Sequence, residues 1–273
     1  MRRPVSVKDR VAKKKQAHPP KGLKGNKLIR HYHNLLKEKA RLTATQASAQ
    51  QIQHVEQQLE AIGIDAYQKA SQNGQNSQKG GDSSKILVEW IRADPSFYPK
   101  HPNNRPQQIL EIGSVSVDNK CSTCGLFSVT RIDLHSSHPL IQEQDVLTRS
   151  PKEGQFHGIS CSLVLNFAPP NTRAQILWKC TQLLLPPDPI HPPWFFFVIP
   201  APCVTNSRYM DNATLHSIMH QFGFTVRHSS ISKKIAYYLY AYDHPCTTNL
   251  SWKKKIVHDG PSRNNFFIPC LTN

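Results

Sequence analysis

The hydrophobic pattern of the chain is centred on the stretch Pro106–Leu134. Ile109–Ile112 is a brief, mainly apolar run of the kind found in parallel strands that are buried on both faces of a sheet. Gly113 follows directly and permits a sharp turn that brings backbone N–H groups close to a ligand. Val129–Asp133 predicts a second strand, whose last residue lies twenty residues after the glycine. The stretch therefore predicts a strand, a tight turn, a short connection and a second strand.

Apolar periodicity predicts an alternation of strands and helices after this stretch. Further strands are predicted over Gly158–Phe167, Trp194–Ile199, Thr225–Ser230 and Ala236–Tyr242. Helices are predicted over Lys85–Ile91, Thr172–Leu185 and Asp211–Phe222. Alternating strands and helices that end in an antiparallel pair of strands are typical of an α/β sheet.

The residues before this domain differ in composition from one segment to the next. Lys27–Gln68 carries two apolar stripes at helical spacing and is predicted to be helical. Ser71–Ser84 (SQNGQNSQKGGDSS) has the composition of a flexible linker. The predicted organisation is a basic disordered arm (1–26), a helical extension (27–70), a flexible linker (71–84), a sheet domain (85–243) and an irregular basic tail (244–273).

Positive charge is concentrated at the start of the chain. The net charge is +16 and the isoelectric point is near 9.7, and residues 1–30 hold eleven Lys or Arg against the single acidic residue Asp9. Such a segment favours a polyanionic partner. Lys13, Lys14 and Lys15 are candidates for a nuclear import signal or for contacts with RNA phosphates. The alternative is a tail that only keeps the chain in solution.

Several functional classes lack their sequence signals. No apolar run approaches the roughly 20 residues of a membrane helix, and the first residues lack the apolar region of a secretory signal, so no membrane partner is expected. Seven cysteines without a secreted spacing favour reduced thiols. Cys121-x-x-Cys124 is half of a zinc motif with no second pair at metal-binding spacing, so no metal is expected.

The first turn and the tip of the second strand predict a nucleoside site. Asp133 is placed to accept hydrogen bonds from both ribose hydroxyls. The G-x-G-x-x-G pattern that holds a diphosphate is absent, so a nucleoside without phosphate, such as S-adenosylmethionine, fits better than NAD. Glu111, close to the glycine, is a further candidate contact. The alternative is that Gly113 is an ordinary turn residue and Asp133 a helix cap.

Polar residues after other strands are expected at the same edge, since open α/β sheets bind ligands beyond the carboxyl ends of their strands. Asp145 would accept from the amino group of an adenine while the N–H of Val146 donates to its ring; the alternative is a surface loop residue. Asn166, followed by Phe167 and Pro169, is a candidate for holding a target amine beside a stacking aromatic. The alternative is a proline turn after a buried strand.

One further loop, PAPCVTNSRY, follows the most hydrophobic strand. Its Asn206, Arg208 and Tyr209 combine hydrogen bonding, phosphate contact and stacking, which favours a role in binding an RNA base. The alternative is a polar loop with one ion pair.

Four segments resemble a known family: LEIGSVSVDN, GLFSVTRIDLHSSHPLIQEQDVLTR, SLVLNFAPPNTR and PCVTNSRYM. They are similar to the fungal large-subunit ribosomal RNA adenine-N1-methyltransferases, whose fold is shared by an animal S-adenosylmethionine sensor of nutrient signalling. The resemblance covers Lys85–Asp243 and the segment Arg30–His33. It implies an α/β class I (Rossmann-like) methyltransferase sheet with an N-terminal helical extension. The family's cofactor contacts fall on Gly113 and Asp133.

The resemblance implies an enzyme that methylates N1 of an adenine in 25S ribosomal RNA with S-adenosylmethionine. The expected partner is ribosomal RNA or a pre-ribosomal particle, and the chain is expected to act as a monomer in the nucleus and nucleolus. The alternative is a sensor that binds S-adenosylmethionine without methylating and regulates a protein partner. A polyanion-binding arm favours the enzyme, because such a sensor has no use for it.

Overall fold

The structure is a computed structural model that describes residues 23–74, 81–98, 105–136, 138–247 and 249–271. The chain divides into two compact units, Met1–Ser71 and Gln72–Asn273. The basic residues Lys13, Lys14 and Lys15 lie outside the described residues, as does nearly all of the predicted arm.

The first unit is built from helices α1 (Asn26–Ala44), α2 (Ala49–Ile62) and α3 (Ile64–Gly74). The helical stretch predicted from the apolar stripes is therefore interrupted twice. Ser48 caps α2 through a reciprocal bond pattern with Gln51, and Gly63 ends it at a φ of 73°. Apolar side chains of all three helices form a core of their own, which includes Leu28, Leu35, Val55, Ile62 and Ala70.

The predicted flexible linker differs from the structure at both ends. Residues 71–74 belong to α3, and Ser84 already begins α4 (Ser84–Ala93). Residues 75–80 lie outside the described residues. Glycine and serine composition suggested a longer break because it carries no information on tertiary contacts.

The second unit contains a seven-stranded sheet. Its strands are β1 (Gln107–Ile112), β2 (Phe127–Asp133), β3 (Gln142–Glu143), β4 (Gly158–Ser162), β5 (Trp194–Pro200), β6 (Phe224–Ile231) and β7 (Ile235–Tyr242). The helices are α4, α5 (Lys120–Thr123), α6 (Pro170–Leu183), α7 (Pro202–Thr205) and α8 (Asn212–Gln221). The strand order is β3-β2-β1-β4-β5-β7-β6.

Strand directions identify the fold class. Strands β1 to β5 run parallel, whereas β7 lies antiparallel between β5 and β6. This order with a reversed β7 is that of the class I, Rossmann-like methyltransferase fold, so the predicted fold class is confirmed. The connection between β1 and β2 holds only the four-residue α5, because it is too short for a full crossover helix.

Helices cover both faces of the sheet. Helices α6 and α8 pack on one face, where they share a core with buried residues of β5 and β7. Helix α4 packs on the other face through Leu87, Val88 and Ile91. Strand β5 is therefore apolar and buried on both sides, whereas β4 has an apolar face of Ile159 and Cys161 and a second face of glycine and serine.

The C-terminal segment (residues 249–271) is irregular in structure, as predicted, and it packs against the core of the second unit. Phe266, Phe267 and Ile268 are buried in the core on the face of α6 and α8. Trp252 Nε1 donates to the Ile268 carbonyl at 2.7 Å, and Ser207 Oγ donates to the Phe266 carbonyl at 2.6 Å. The lysines around this segment concealed its apolar residues from the sequence pattern.

Gly158 provides a test of this packing. A methyl group there would overlap the indole of Trp194, which is fully buried and donates from Nε1 to Gln107 at 3.2 Å. We expect Gly158→Ala to lower the free energy of unfolding by about 1–3 kcal/mol through overpacking. Thermal unfolding would measure it against Ser128→Ala, an exposed position on β2 with an expected change within about 0.5 kcal/mol. Equal stability of both variants would contradict the packing.

Candidate active site

The turn after β1 lies directly beside the end of β2. Ile112 pairs with Ile132 in the sheet, so Gly113 and Asp133 continue from neighbouring positions. The amides of Gly113 and Ser114 both donate to the Ile132 carbonyl, at 2.9 and 3.1 Å. The predicted juxtaposition of glycine and carboxylate is therefore present in the structure.

Gly113 is required at this turn for two reasons. Its φ is 75°, a conformation that other L-residues adopt only with strain. A methyl group on it would also lie 2.5 Å from Val164 Cγ2, in the turn after β4. The Gly113 N–H is bonded to the Ile132 carbonyl, and the expectation that this turn brings backbone N–H groups close to a ligand stays a prediction. The glycine lets the turn pass close to Val164.

Asp133 is a partly buried carboxylate at the end of β2. Its Oδ1 accepts the backbone amide of His135 at 2.9 Å, which is the one hydrogen bond that the carboxylate makes with the described residues. Burial raises the pKa of Asp133 above its usual range, although the His135 amide opposes that shift. A carboxylate held in place with acceptor capacity to spare suits the two hydroxyls of a ribose.

Glu111 lies on β1, two residues before Gly113. It is buried, and its two carboxylate oxygens accept from Ser114 Oγ at 2.9 Å and from Asn119 Nδ2 at 2.7 Å. Burial raises the pKa of Glu111 despite these bonds. The structure thus gives this side chain the task of bracing the loop after Gly113. Its direct contact with a cofactor stays a prediction.

Asp145 caps a short 3-10 turn over Val146–Thr148 at the next strand end. Its Oδ1 accepts the amide of Leu147 at 2.9 Å, and its carbonyl accepts the amide of Thr148 at 3.0 Å. This cap orients the carboxylate and leads the chain out of β3 at the same edge of the sheet. The predicted contact of Asp145 with adenine is compatible with this position and stays a prediction.

Sequence reasoning missed the contribution of the residues that begin α4. Asp82 accepts the amide of Lys120 at 2.5 Å and the amide of Ser84 at 2.8 Å. Ser84 Oγ accepts the amide of Cys121 at 3.0 Å, and Ser83 Oγ lies 2.9 Å from Ser162 Oγ at the end of β4. The start of α4 therefore ties the loop after β1 to the end of β4. The signal for it in the sequence is D-S-S before an apolar helix, a capping pattern.

Asn166 lies in a turn, not in the strand that was predicted to include it. Strand β4 ends before this turn, because Leu163 has a φ of 59° and a residue in that conformation cannot extend the strand. The amides of Phe167 and Ala168 then both donate to the Val164 carbonyl, at 2.9 and 3.1 Å. Asn166 is half-buried in this turn, close in sequence to the residue that touches Gly113.

The loop after α7 holds the C-terminal segment. Asn206 Nδ2 donates to the Ser262 carbonyl at 3.2 Å, and Arg208 donates to the Gly260 carbonyl at 2.9 Å. These two side chains therefore have partners within the fold, and their predicted RNA contacts remain predictions. Tyr209 is half-buried, and Lys254 Nζ lies 3.9 Å from the centre of its ring.

Neither a metal site nor a membrane span is found in the described ranges. No three His, Cys, Asp or Glu side chains there come together as ligands, and no helix there has the length and hydropathy to cross a bilayer. Within the Cys121-x-x-Cys124 motif, the Cys124 thiol donates to the Cys121 carbonyl at 3.4 Å.

The sequence matches one family of known proteins. The model of one protein family, described as "25S rRNA (adenine(2142)-N(1))-methyltransferase, Bmt2", matches residues 53–268. The chain belongs to this family. The matched range includes the turn at Gly113, the Asp133 carboxylate, the cap at Asp145 and most of the C-terminal segment. The family resemblance of the sequence is confirmed.

Two fungal relatives carry names that agree with this family. A Schizosaccharomyces pombe protein named "25S rRNA adenine-N(1) methyltransferase" is 64% identical over 269 residues, 98% of this chain and 99% of that protein. A Saccharomyces cerevisiae "25S rRNA (adenine(2142)-N(1))-methyltransferase" is 39% identical over 213 residues, 76% of this chain and 59% of that protein. A solved Burkholderia thailandensis 1,6-didemethyltoxoflavin-N1-methyltransferase is 12% identical, over 65% of this chain and 87% of that one, at a TM-score of 0.44.

The brace formed by Glu111 has a predictable pH dependence. A carboxyl group with a raised folded-state pKa stabilises the fold fully below its unfolded pKa, about 4.5, and loses that contribution as the pH rises through its folded pKa. The stability advantage of the wild-type chain over Glu111→Gln, which does not titrate, should therefore shrink as the pH rises above about 4.5. Urea unfolding at a series of pH values would measure this difference.

The control for this experiment is Glu89→Gln, which removes an exposed carboxylate from α4 without touching the loop after Gly113. A difference between wild type and Glu111→Gln that grows with rising pH would contradict the assignment.

Proposed function

We propose that this member of the family transfers the methyl group of S-adenosylmethionine to N1 of an adenine in 25S ribosomal RNA, with the donor at the carboxyl ends of β1 and β2. The observation that carries the proposal is the bare turn at Gly113 beside the partly buried carboxylate of Asp133. This pair suits a sugar that bears no phosphate.

Each residue of the donor site has one task in this proposal. Asp133 accepts hydrogen bonds from the ribose hydroxyls, and Gly113 lets the cofactor approach the backbone. Asp145 and the N–H of Val146 hold the adenine of the donor. Glu111 keeps the loop after the glycine in place through Ser114 and Asn119. When bound, S-adenosylmethionine supplies an electrophilic methyl group on a cationic sulfur.

The acceptor needs positioning more than acid–base chemistry. Neutral adenine N1 carries its own lone pair, so the chain need not supply a strong base, and in-line alignment is the main requirement. A paired N1 is engaged, so the target adenine must be single-stranded or flipped out of its helix. Asn166, in the turn that contacts Gly113 through Val164, is the candidate for holding the edge of this base.

The proposed place of action is a pre-ribosomal particle in the nucleolus, where the chain works as a monomer. The eleven Lys or Arg among residues 1–30 support this, since they suit both import into the nucleus and salt-dependent attraction to RNA phosphates.

Asp133→Ala tests the donor site. Loss of two hydrogen bonds to a charged acceptor is expected to weaken S-adenosylmethionine binding at least about 100-fold. Isothermal calorimetry on the folded variant measures this. Glu89→Ala is the control, because it removes an exposed carboxylate from α4 without touching the strand ends. Unchanged affinity in Asp133→Ala would exclude the site.

Primer extension on 25S ribosomal RNA tests the acceptor, since N1-methyladenine blocks reverse transcription. Cells without the protein should lose one stop, the wild-type chain should restore it, and Asp133→Ala should not. A stop that persists without the protein would overturn the proposed activity.

A further inference from the structure

A cavity of about 350 Å³ lies where the C-terminal segment crosses the start of α6. Its lining includes Arg173 of α6 and Trp252, Lys254 and Phe267 of the C-terminal segment. The volume falls within the roughly 300–1,000 Å³ that is typical of small-molecule sites. We call it the C-terminal cavity.

Arg173 places a buried positive charge in this lining. Its side chain is only 5% exposed, and it donates to the carbonyl oxygens of Ala168 and Phe267. Its guanidinium carbon lies 4.6 Å from the centre of the Phe266 ring. No carboxylate forms an ion pair with Arg173 within the described part of the chain. Burial lowers the pKa of Arg173 to about 10, so the charge is retained at neutral pH without an anionic neighbour.

Lys254 and Phe267, which line the cavity, both contact Tyr209, which lies beside it. Lys254 is exposed, and its ammonium sits over the ring of Tyr209. Tyr209 in turn contacts Phe267 edge-on, with ring centres 6.5 Å apart. Aromatic surfaces beside positive charge are what single-stranded RNA uses, since bases stack on rings while phosphates pair with Lys and Arg.

The location links this cavity to the candidate active site. Helix α6 begins with Pro170, four residues after Asn166, and Arg173 bonds the last part of that turn through Ala168. Tyr209 belongs to the loop that follows β5 and α7. The cavity therefore adjoins the loops after β4 and β5, next to the turn that touches Gly113.

We infer that the C-terminal cavity binds a nucleotide that flanks the target adenine, with its phosphate near Lys254 and Arg173 and its base against the aromatic side chains. This inference rests on the proposed function, because it assigns the surface that holds the RNA while the adenine reaches the donor. Charge complementarity selects RNA over a protein partner, since the C-terminal segment carries four Lys or Arg against one acidic residue, Asp259.

Fluorescence anisotropy with a labelled single-stranded RNA of twelve nucleotides, rich in adenine, tests the inference on the full chain without cofactor. Lys254→Ala should weaken binding about tenfold and reduce the slope of affinity against salt by about 0.7. Lys253→Ala is the matched control, since Lys253 is exposed in the same run and does not line the cavity. We expect it to weaken binding by no more than about twofold.

The inference would be overturned if the two lysine substitutions weakened RNA binding equally. It would also be overturned if Lys254→Ala left RNA affinity unchanged, a result that would favour a protein occupant. Ultraviolet cross-linking of the same RNA adds an independent measurement. The cross-linked peptides should include Tyr209, Trp252 or Phe267, and cross-links confined to residues 1–30 would contradict the proposal.

Failure of the proposed function has a separate signature. S-adenosylmethionine affinity should be the same in Lys254→Ala as in the wild type, while methylation of 25S ribosomal RNA falls with RNA affinity. If the wild-type chain binds RNA through Lys254 but leaves 25S ribosomal RNA unmethylated, the proposed activity is wrong, whereas the inferred RNA site at the C-terminal cavity still holds.

Discussion

The carbonyl oxygen of Ile132 accepts two amides, from Gly113 and Ser114, at the point where β1 turns away from β2. This shared acceptor fixes the bend of the loop and the place of the Asp133 carboxylate at the same time. Two further carboxylates hold the loop in place. Glu111 accepts a hydrogen bond from the Asn119 side chain, and Asp82 accepts one from the Lys120 amide. The proposed donor site depends on these bonds, since Gly113 lies in the turn that they hold in place.

Two electrostatic environments share one edge of the sheet. Partly or fully buried carboxylates surround the donor site, and burial alone already raises the pKa values of Asp133 and Glu111. The loops after β4 and β5 instead lead to Arg173 and Lys254. A cationic sulfonium is therefore favoured at one end and a polyanion at the other.

The sequence predicted what depends on local information. The apolar run before Gly113, the strand that ends in Asp133 and the reversed final pair of strands all follow from periodicity and turn chemistry over a few residues. The family resemblance extended this to the activity. The task of Glu111 was missed, because its partner Asn119 is reached only through the shape of the intervening loop.

The hydrophobic and polar pattern of the sequence also could not predict contacts between residues that are far apart along the chain. Ser83 and Ser162 meet although 79 residues separate them. Phe266–Ile268 has too few residues to show a periodicity, and the neighbouring lysines suggested a solvated tail. Asn206 and Arg208 lie in the loop after α7, and their hydrogen bonds to residues more than fifty positions away were invisible before the fold was known.

Burial of the C-terminal segment has a consequence for genetics. A frameshift or premature stop between Asp259 and Phe266 leaves the codons of Gly113, Asp133 and Asp145 intact, yet it removes three side chains from the core and the carbonyl partner of Arg173. Such alleles should behave as nulls rather than as mild truncations. Late-truncating lesions in this gene would therefore report on protein abundance, and they should not be interpreted as defects in methyl-donor recognition.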